Sequence, residues 1–170
     1  KADPAKGNII LVLLPYWDRT INNILNLIKQ IDWPAEIVIK FHPTVEQNKY
    51  TPQIPSKFSV TDKDLYFLFG RARMVVGQST GAMVEAASLG IPVINIVDPE
   101  KISHNFMPEF GRELLWSSAT HVKDVYRLVR QFEESIRLDP SQLVDMGEKM
   151  RDNYFCEPTE EKIVRAFGLT

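Results

Sequence analysis

The sequence predicts an α/β fold of Rossmann-like type, with three α/β/α layers and a mostly parallel sheet of about six strands. Three observations predict it. Apolar runs alternate with stretches of helical periodicity, the order that parallel sheets covered on both faces require. The runs ILVLLP within 9–15 and IPVINIV at 91–97 are apolar without alternation, as in strands buried on both sides. The third is the stretch VVGQSTGAMVEAASLGIPVINIV at 75–97. It reads as strand, small polar turn, helix and strand.

In chain order, 8–17 is the first strand. DRTINNILNLIKQID follows as a helix with Ile21, Ile24, Leu25, Ile28 and Ile31 at helical spacing, and Asp18 or Thr20 is its candidate cap. Residues 35–43 form the second strand, ended by Pro43. In it Ile37, Ile39 and Phe41 face one way, and Val38, Lys40 and His42 the other. Residues 44–57 contain two prolines and read as a loop with room for a short helical turn. Residues 58–61 are a short third strand and 62–72 a helix, with Asp62 as the expected cap. The fourth strand is 73–77. The helix at 80–90 is closed by Gly90, and 91–97 is the fifth strand. The loop 98–112 leads to a sixth strand at 113–118. Residues 119–136 form an amphipathic helix, and helices within 137–170 finish the chain.

The 170 residues suffice for one domain of ordinary size. A net charge of −2 argues against nonspecific nucleic-acid binding and against a polybasic membrane surface. The lone Cys156 excludes an internal disulfide and is compatible with a reducing compartment. No apolar run approaches the roughly 20 residues that span a bilayer, so no transmembrane segment is expected. The start, KADPAKGN, lacks both an initiator methionine and the apolar core of a signal peptide. It leads to the expectation of an excised segment of a longer protein.

Ligands of open parallel sheets bind outside the carboxyl ends of the strands. Five segments fall there: Thr61 to Asp64, with its two aspartates as strand-end carboxylates, and four that carry further candidates. In the first, Gly77 ends a strand, and Gln78, Ser79, Thr80 and Gly81 open the next helix. Free backbone N–H groups at such a helix start suit a phosphate, and small residues let it approach. Glu85, further along the helix, is placed to accept from ribose hydroxyls. The alternative is an ordinary capped turn with a solvated glutamate. In the second, KFHPT at 40–44, His42 can donate to a phosphate or titrate near neutral pH, or can be tied to a loop carbonyl. In the third, PYWDRT at 15–20, Arg19 can reach a phosphate as a bidentate donor, and Tyr16 and Trp17 can stack on a ring. Otherwise it is a surface turn. The fourth is the loop 98–112 with His104, Asn105 and Phe106.

Several motifs are absent: GxGxxG, GxxxxGK[ST] and any metal-ligand spacing. GxSxG is formally matched by Gly77 through Gly81, which keeps a hydrolase as a rival. His104 and His121 are its only later histidines.

KFHPT followed by VVGQSTGAMVEAASLGIPVIN resembles the C-terminal, donor-binding half of GT-B glycosyltransferases. The nearest likeness is to bacterial surface-polysaccharide enzymes of capsule and lipopolysaccharide assembly with an HP motif and a later S-S/T motif. These include CMP-sugar-using sialyl- and Kdo-transferases and the polyol-phosphate transferases of teichoic acid synthesis. A looser likeness extends to UDP-N-acetylglucosamine 2-epimerase and to UDP-sugar transferases with a helix glutamate before LGxP.

The resemblance implies that 1–170 is a single nucleotide-sugar binding domain and that an N-terminal acceptor domain belongs to the full protein. It implies a catalytic role for His42 at the donor phosphate, which Ser79, Thr80 and the Gly81 backbone also hold, with Pro43 and Gln78 beside them. Glu85 would contact ribose or sugar. Lys40 and Arg19 are added as further phosphate ligands on position alone. No resident cofactor or metal is implied. The nucleotide-sugar, CMP-, CDP- or UDP-linked, is a substrate, and the acceptor is a glycan or a lipid-linked sugar. The implied location is cytoplasmic, with peripheral attachment at the inner membrane through the full protein. Two rivals stand beside this reading: a half-domain like that of UDP-sugar 2-epimerases, and a binding module without catalysis. The isolated segment is expected to bind nucleotide weakly and to catalyse no transfer.

Overall fold

In the computed structural model, residues 2–100, 105–155 and 159–168 are described. Six strands form one sheet: β1 (Ile9–Leu14), β2 (Glu36–Phe41), β3 (Ser59–Val60), β4 (Ala72–Gly77), β5 (Val93–Ile96) and β6 (Trp116–Ala119). Their order is β3-β2-β1-β4-β5-β6, and every pair is parallel. The helices are α1 (Asp18–Ile28), α2 (Leu65–Phe69), α3 (Ala82–Ser88), α4 (Val122–Leu138), α5 (Pro140–Tyr154) and α6 (Glu160–Phe167).

The unbroken apolar run of β1 has a direct structural counterpart. Its six residues are all buried and alternate between two cores. Ile10, Val12 and Leu14 pack with Ile21, Ile24, Leu25 and Ile28 of α1 and with Val125, Leu128 and Phe132 of α4. Ile9, Leu11 and Leu13 pack with Leu68 and Phe69 of α2, Met83, Ala86 and Ala87 of α3, and Leu143 and Met150 of α5. β2 divides as its alternation predicts: Ile37, Ile39 and Phe41 join the first core, and Val38 the second. Chain order runs outward in both directions from the adjacent β1 and β4. Loops leaving those two strands diverge, which opens a crevice at their carboxyl ends.

Several element ends differ from the sequence reading: β1 stops at Leu14 rather than 17, α2 ends at Phe69 rather than 72, and β5 starts at Val93 rather than 91. Asp64, not Asp62, caps α2: its carboxylate accepts from the N–H groups of Tyr66 (2.9 Å) and Phe67 (3.1 Å). Asp64→Ala should therefore lower stability by about 1 kcal/mol in urea unfolding, and Asp62→Ala by clearly less. Neither Asp18 nor Thr20 caps α1. Trp17 occupies that position without a side-chain bond, and Asp18 is the first helical residue. Helix α3 starts at Ala82, because Ser79 takes a left-handed φ of 51° and delays entry. Strand β6 begins at Trp116 rather than 113. Gly111 (φ 75°) and Glu113 (φ 64°) make a turn there, and the Gly111 carbonyl accepts from the Leu115 N–H at 2.8 Å. Gly90 closes α3 as expected, with φ 80°.

Candidate functional site

Pro43 follows directly on β2, and the His42 N–H makes a last bond to the Leu14 carbonyl at 2.9 Å. The His42 ring projects beyond the sheet and is exposed. Its Nδ1 lies 2.8 Å from the Thr44 hydroxyl and accepts from the Thr44 N–H at 3.3 Å. An Nδ1 that accepts puts the proton of the neutral ring on Nε2. The outward nitrogen is thereby a donor. Tyr16 meets the His42 ring edge-on with centroids 5.5 Å apart, and Trp17 lies 4.2 Å from Tyr16.

A cavity of about 450 Å³ opens beside this ring, at the ends of β1 and β2 and against the start of α3. Lys40, His42, Asp62, Asp64 and Thr80 supply its polar edge, and Leu13, Leu14, Pro43 and Leu65 its apolar wall. Of the residues expected from the sequence, Lys40, His42, Pro43 and Thr80 thus come together in one place. The Lys40 ammonium donates to the Lys63 carbonyl at 2.8 Å. The Asp62 carboxylate accepts from the Gln47 amide at 2.7 Å, and Asp64 is engaged in its cap.

The remaining candidates take other positions. Gly81 is exposed, and a Cβ there would meet nothing within 4 Å, so the space before α3 is open to a ligand. Ser79 is half-buried on its strained backbone. Gln78 is only 4% exposed, and among the described residues its Oε1 has no hydrogen-bond partner. Glu85 accepts from the Tyr66 hydroxyl at 2.7 Å, which links α3 to α2 and raises the Tyr66 pKa. Arg19 does not reach the cavity. It lies in a separate groove, 3.4 Å from Asp98 and 3.8 Å from Glu100. His104 lies outside the described residues. Asn105 accepts from the Asn95 amide (3.2 Å) and from the Met107 N–H (3.0 Å). The rival hydrolase needs a histidine held by a carboxylate at Nδ1. His42 is held by Thr44 instead, and His121 lines the Arg19 groove.

Thr44, Asp62, Asp64 and Tyr16 also belong to the site, although sequence pattern did not place them among the phosphate ligands. Thr44 was detectable, since a residue two after a strand-end histidine can fold back on it. The two aspartates lie in the strand-end segment 61–64 that the sequence marked, and the pairing of β3 with β2 brings them to the His42 cavity.

The segment after β2 is strapped across the strand ends. Tyr50, almost fully buried, donates its hydroxyl to Asp18, and the Lys49 ammonium binds the same carboxylate. Lys49 and then Tyr50 hold the Asp18 carboxyl below its usual 3.8, and the contact raises Lys49. A carboxyl depressed by folding gives stability that is complete above its unfolded value and fades as pH falls through the folded one. Stability should therefore drop below about pH 4. That part of the drop should vanish in Asp18→Asn when urea midpoints are compared between about pH 6 and pH 2.

Among the described residues, no cluster of His, Cys, Asp and Glu could hold a metal ion, and no helix is long and apolar enough to cross a membrane. No family model matches the chain, and no curated protein matches it. Solved structures do. The wall teichoic acid polymerase TagF, as an H444N variant soaked with CDPG, matches with a TM-score of 0.56 at 14% identity over 96% of this chain. The glycosyltransferase SnogD from Streptomyces nogalater matches with 0.52 at 17% over 96%. The UDP-GlcNAc 2-epimerase of Methanocaldococcus jannaschii, in complex with UDP-GlcNAc and UDP, matches with 0.52 at 15% over 98%. The matches cover 40%, 44% and 47% of those three chains, so this chain spans less than half their length. What the likeness shows is the fold: a six-stranded parallel Rossmann-like domain shared with glycosyltransferases and a sugar-nucleotide epimerase.

Proposed function

We propose that this chain binds a nucleotide-sugar as the donor half of a GT-B-type glycosyltransferase of bacterial surface-polysaccharide synthesis. One observation carries the reading. His42, with its proton on Nε2, shares a cavity with Lys40 and Thr80 at the carboxyl ends of β1 and β2, against the start of α3. There a phosphate would meet the imidazole N–H, the Thr80 hydroxyl and the open backbone at Gly81. Each of these donors stabilises charge that grows on a leaving phosphate when the bond to the sugar breaks. No metal is needed for that role. The bond would form with an acceptor hydroxyl held by the other half of a longer protein, which supplies the base. This chain alone would bind and not transfer.

The test is an amide NMR titration with CMP, CDP, UMP, UDP and AMP. A cytidine or uridine nucleotide should shift His42, Thr80 and Gly81 with millimolar affinity. Absence of shifts at those residues with all five would remove the reading.

A second reading, the half-domain of a UDP-sugar epimerase, draws support from Asp62 and Asp64 at the cavity edge. It expects UDP alone to bind tightly, and it expects Asp62→Asn to weaken the sugar-bearing ligand more than UDP.

A further inference from the structure

A second depression, about 380 Å³, lies between α1, the loop after β5 and the start of α4. It shares no lining residue with the His42 cavity, and its chemistry differs. Three amides line it from α1: Asn22 and Asn23 on one turn and Asn26 on the next. Asp98, Glu100 and Arg19 face them, with Arg19 neutralised by the two carboxylates at 3.4 and 3.8 Å.

Asparagine is a poor helix former, yet three of them line this groove from α1. Asn26 has an internal use, as its Oδ1 accepts from the Lys29 ammonium at 2.6 Å. Asn22 does not: its Oδ1 is shut away from solvent and, among the described residues, accepts no hydrogen bond. An orphaned acceptor of this kind is destabilising until a donor reaches it. The terminal torsion of Asn is broad, so a modest rotation turns that oxygen toward the groove that its side chain lines.

Amides donate and accept, carboxylates accept, and a guanidinium donates. Together they match hydroxyl groups, which do both. Two carboxylates face one arginine in a groove that Thr120 and His121 also line, a balance that does not favour phosphates or carboxylates. We infer that this groove binds a neutral, polyhydroxylated ligand, a glycan unit, at a site separate from the nucleotide cavity. The inference does not depend on the nucleotide reading.

The probes are the methyl glycosides of glucose, galactose, mannose and N-acetylglucosamine, followed by the side-chain amide signals of Asn22, Asn23 and Asn26. At least one neutral glycoside should give saturating shifts there. Its dissociation constant should rise about tenfold or more in Asn23→Ala, the loss of one or two hydrogen bonds. The signals of His42 and Thr80 should stay in place throughout, and a nucleotide that shifts those two should do so equally in the variant. Asp98→Asn, which keeps the groove polar, should also weaken the glycoside. No saturating shift with any glycoside, shifts unchanged by both variants, or tighter binding of glucose 6-phosphate than of the neutral sugars would each overturn the inference.

Discussion

Replacing Gly147 with alanine should lower the stability of the chain by about 2 kcal/mol, even though alanine is the better helix former by roughly 1 kcal/mol. The reason is a backbone crossing. A Cβ on Gly147 would lie 2.3 Å from the Gly90 nitrogen, 2.7 Å from its Cα and 2.9 Å from the Ala87 carbonyl oxygen. Gly90 presses back in the same way, since its own Cβ would lie 2.8 Å from the Val144 Cα. Backbone cannot rotate aside as a long side chain can, so α5 must move away from the end of α3. That strains the packing of Leu143 and Met150 against Met83, Ala86 and Ala87. Urea unfolding of the two proteins measures the difference. A shift of about 4–8 °C in thermal midpoint is the matching result for a domain of this size. Unchanged or raised stability would mean that α5 does not lie on α3 in solution. Gly90→Ala should be at least as costly, because φ 80° adds about 1 kcal/mol of backbone strain. The two substitutions share one contact and should not add.

This crossing was not legible in the sequence. DMGEKM reads as part of a helix, and nothing local names Gly90 as the partner of its glycine. What was legible is local in origin. The unbroken apolar β1 announces a strand covered on both faces, and Pro43 announces the end of β2. The alternation in EIVIKF is enough by itself to divide Ile37, Ile39 and Phe41 from Val38, and the two cores divide them in the same way. The place of the cavity follows less directly, from the rule that ligands of parallel sheets gather at carboxyl ends. The misplacements have one physical source. Asp18 looks like a cap, but it meets the Lys49 ammonium and the Tyr50 hydroxyl, which lie far along the chain. Arg19 looks like a phosphate ligand, but Asp98 and Glu100 come near it only once β5 lies two strands away from β1 in the sheet. Periodicity fixes which way a side chain points relative to its own element. It does not say which charge another element will bring to it.

His42→Ala should weaken the best-bound nucleotide about 10- to 100-fold, the loss of one charge-assisted hydrogen bond of about 1.5–3 kcal/mol. Its folding stability should stay within about 0.5 kcal/mol of the parent, because the ring is exposed and lies past the last bond of β2. That separation is the point of the measurement, since a histidine that only braced the loop would reverse the two effects. Two comparisons sharpen it. Thr44→Val keeps the backbone N–H on Nδ1 and removes the hydroxyl, so it should weaken binding by a smaller factor, about three- to tenfold. Arg19→Ala should leave nucleotide affinity unchanged, because its guanidinium faces the other groove. If Arg19→Ala instead matches His42→Ala, the phosphate lies on the α1 side of β1. The donor would then sit where the structure brings Asp98 and Glu100 together, and the role given to His42 would pass to the arginine.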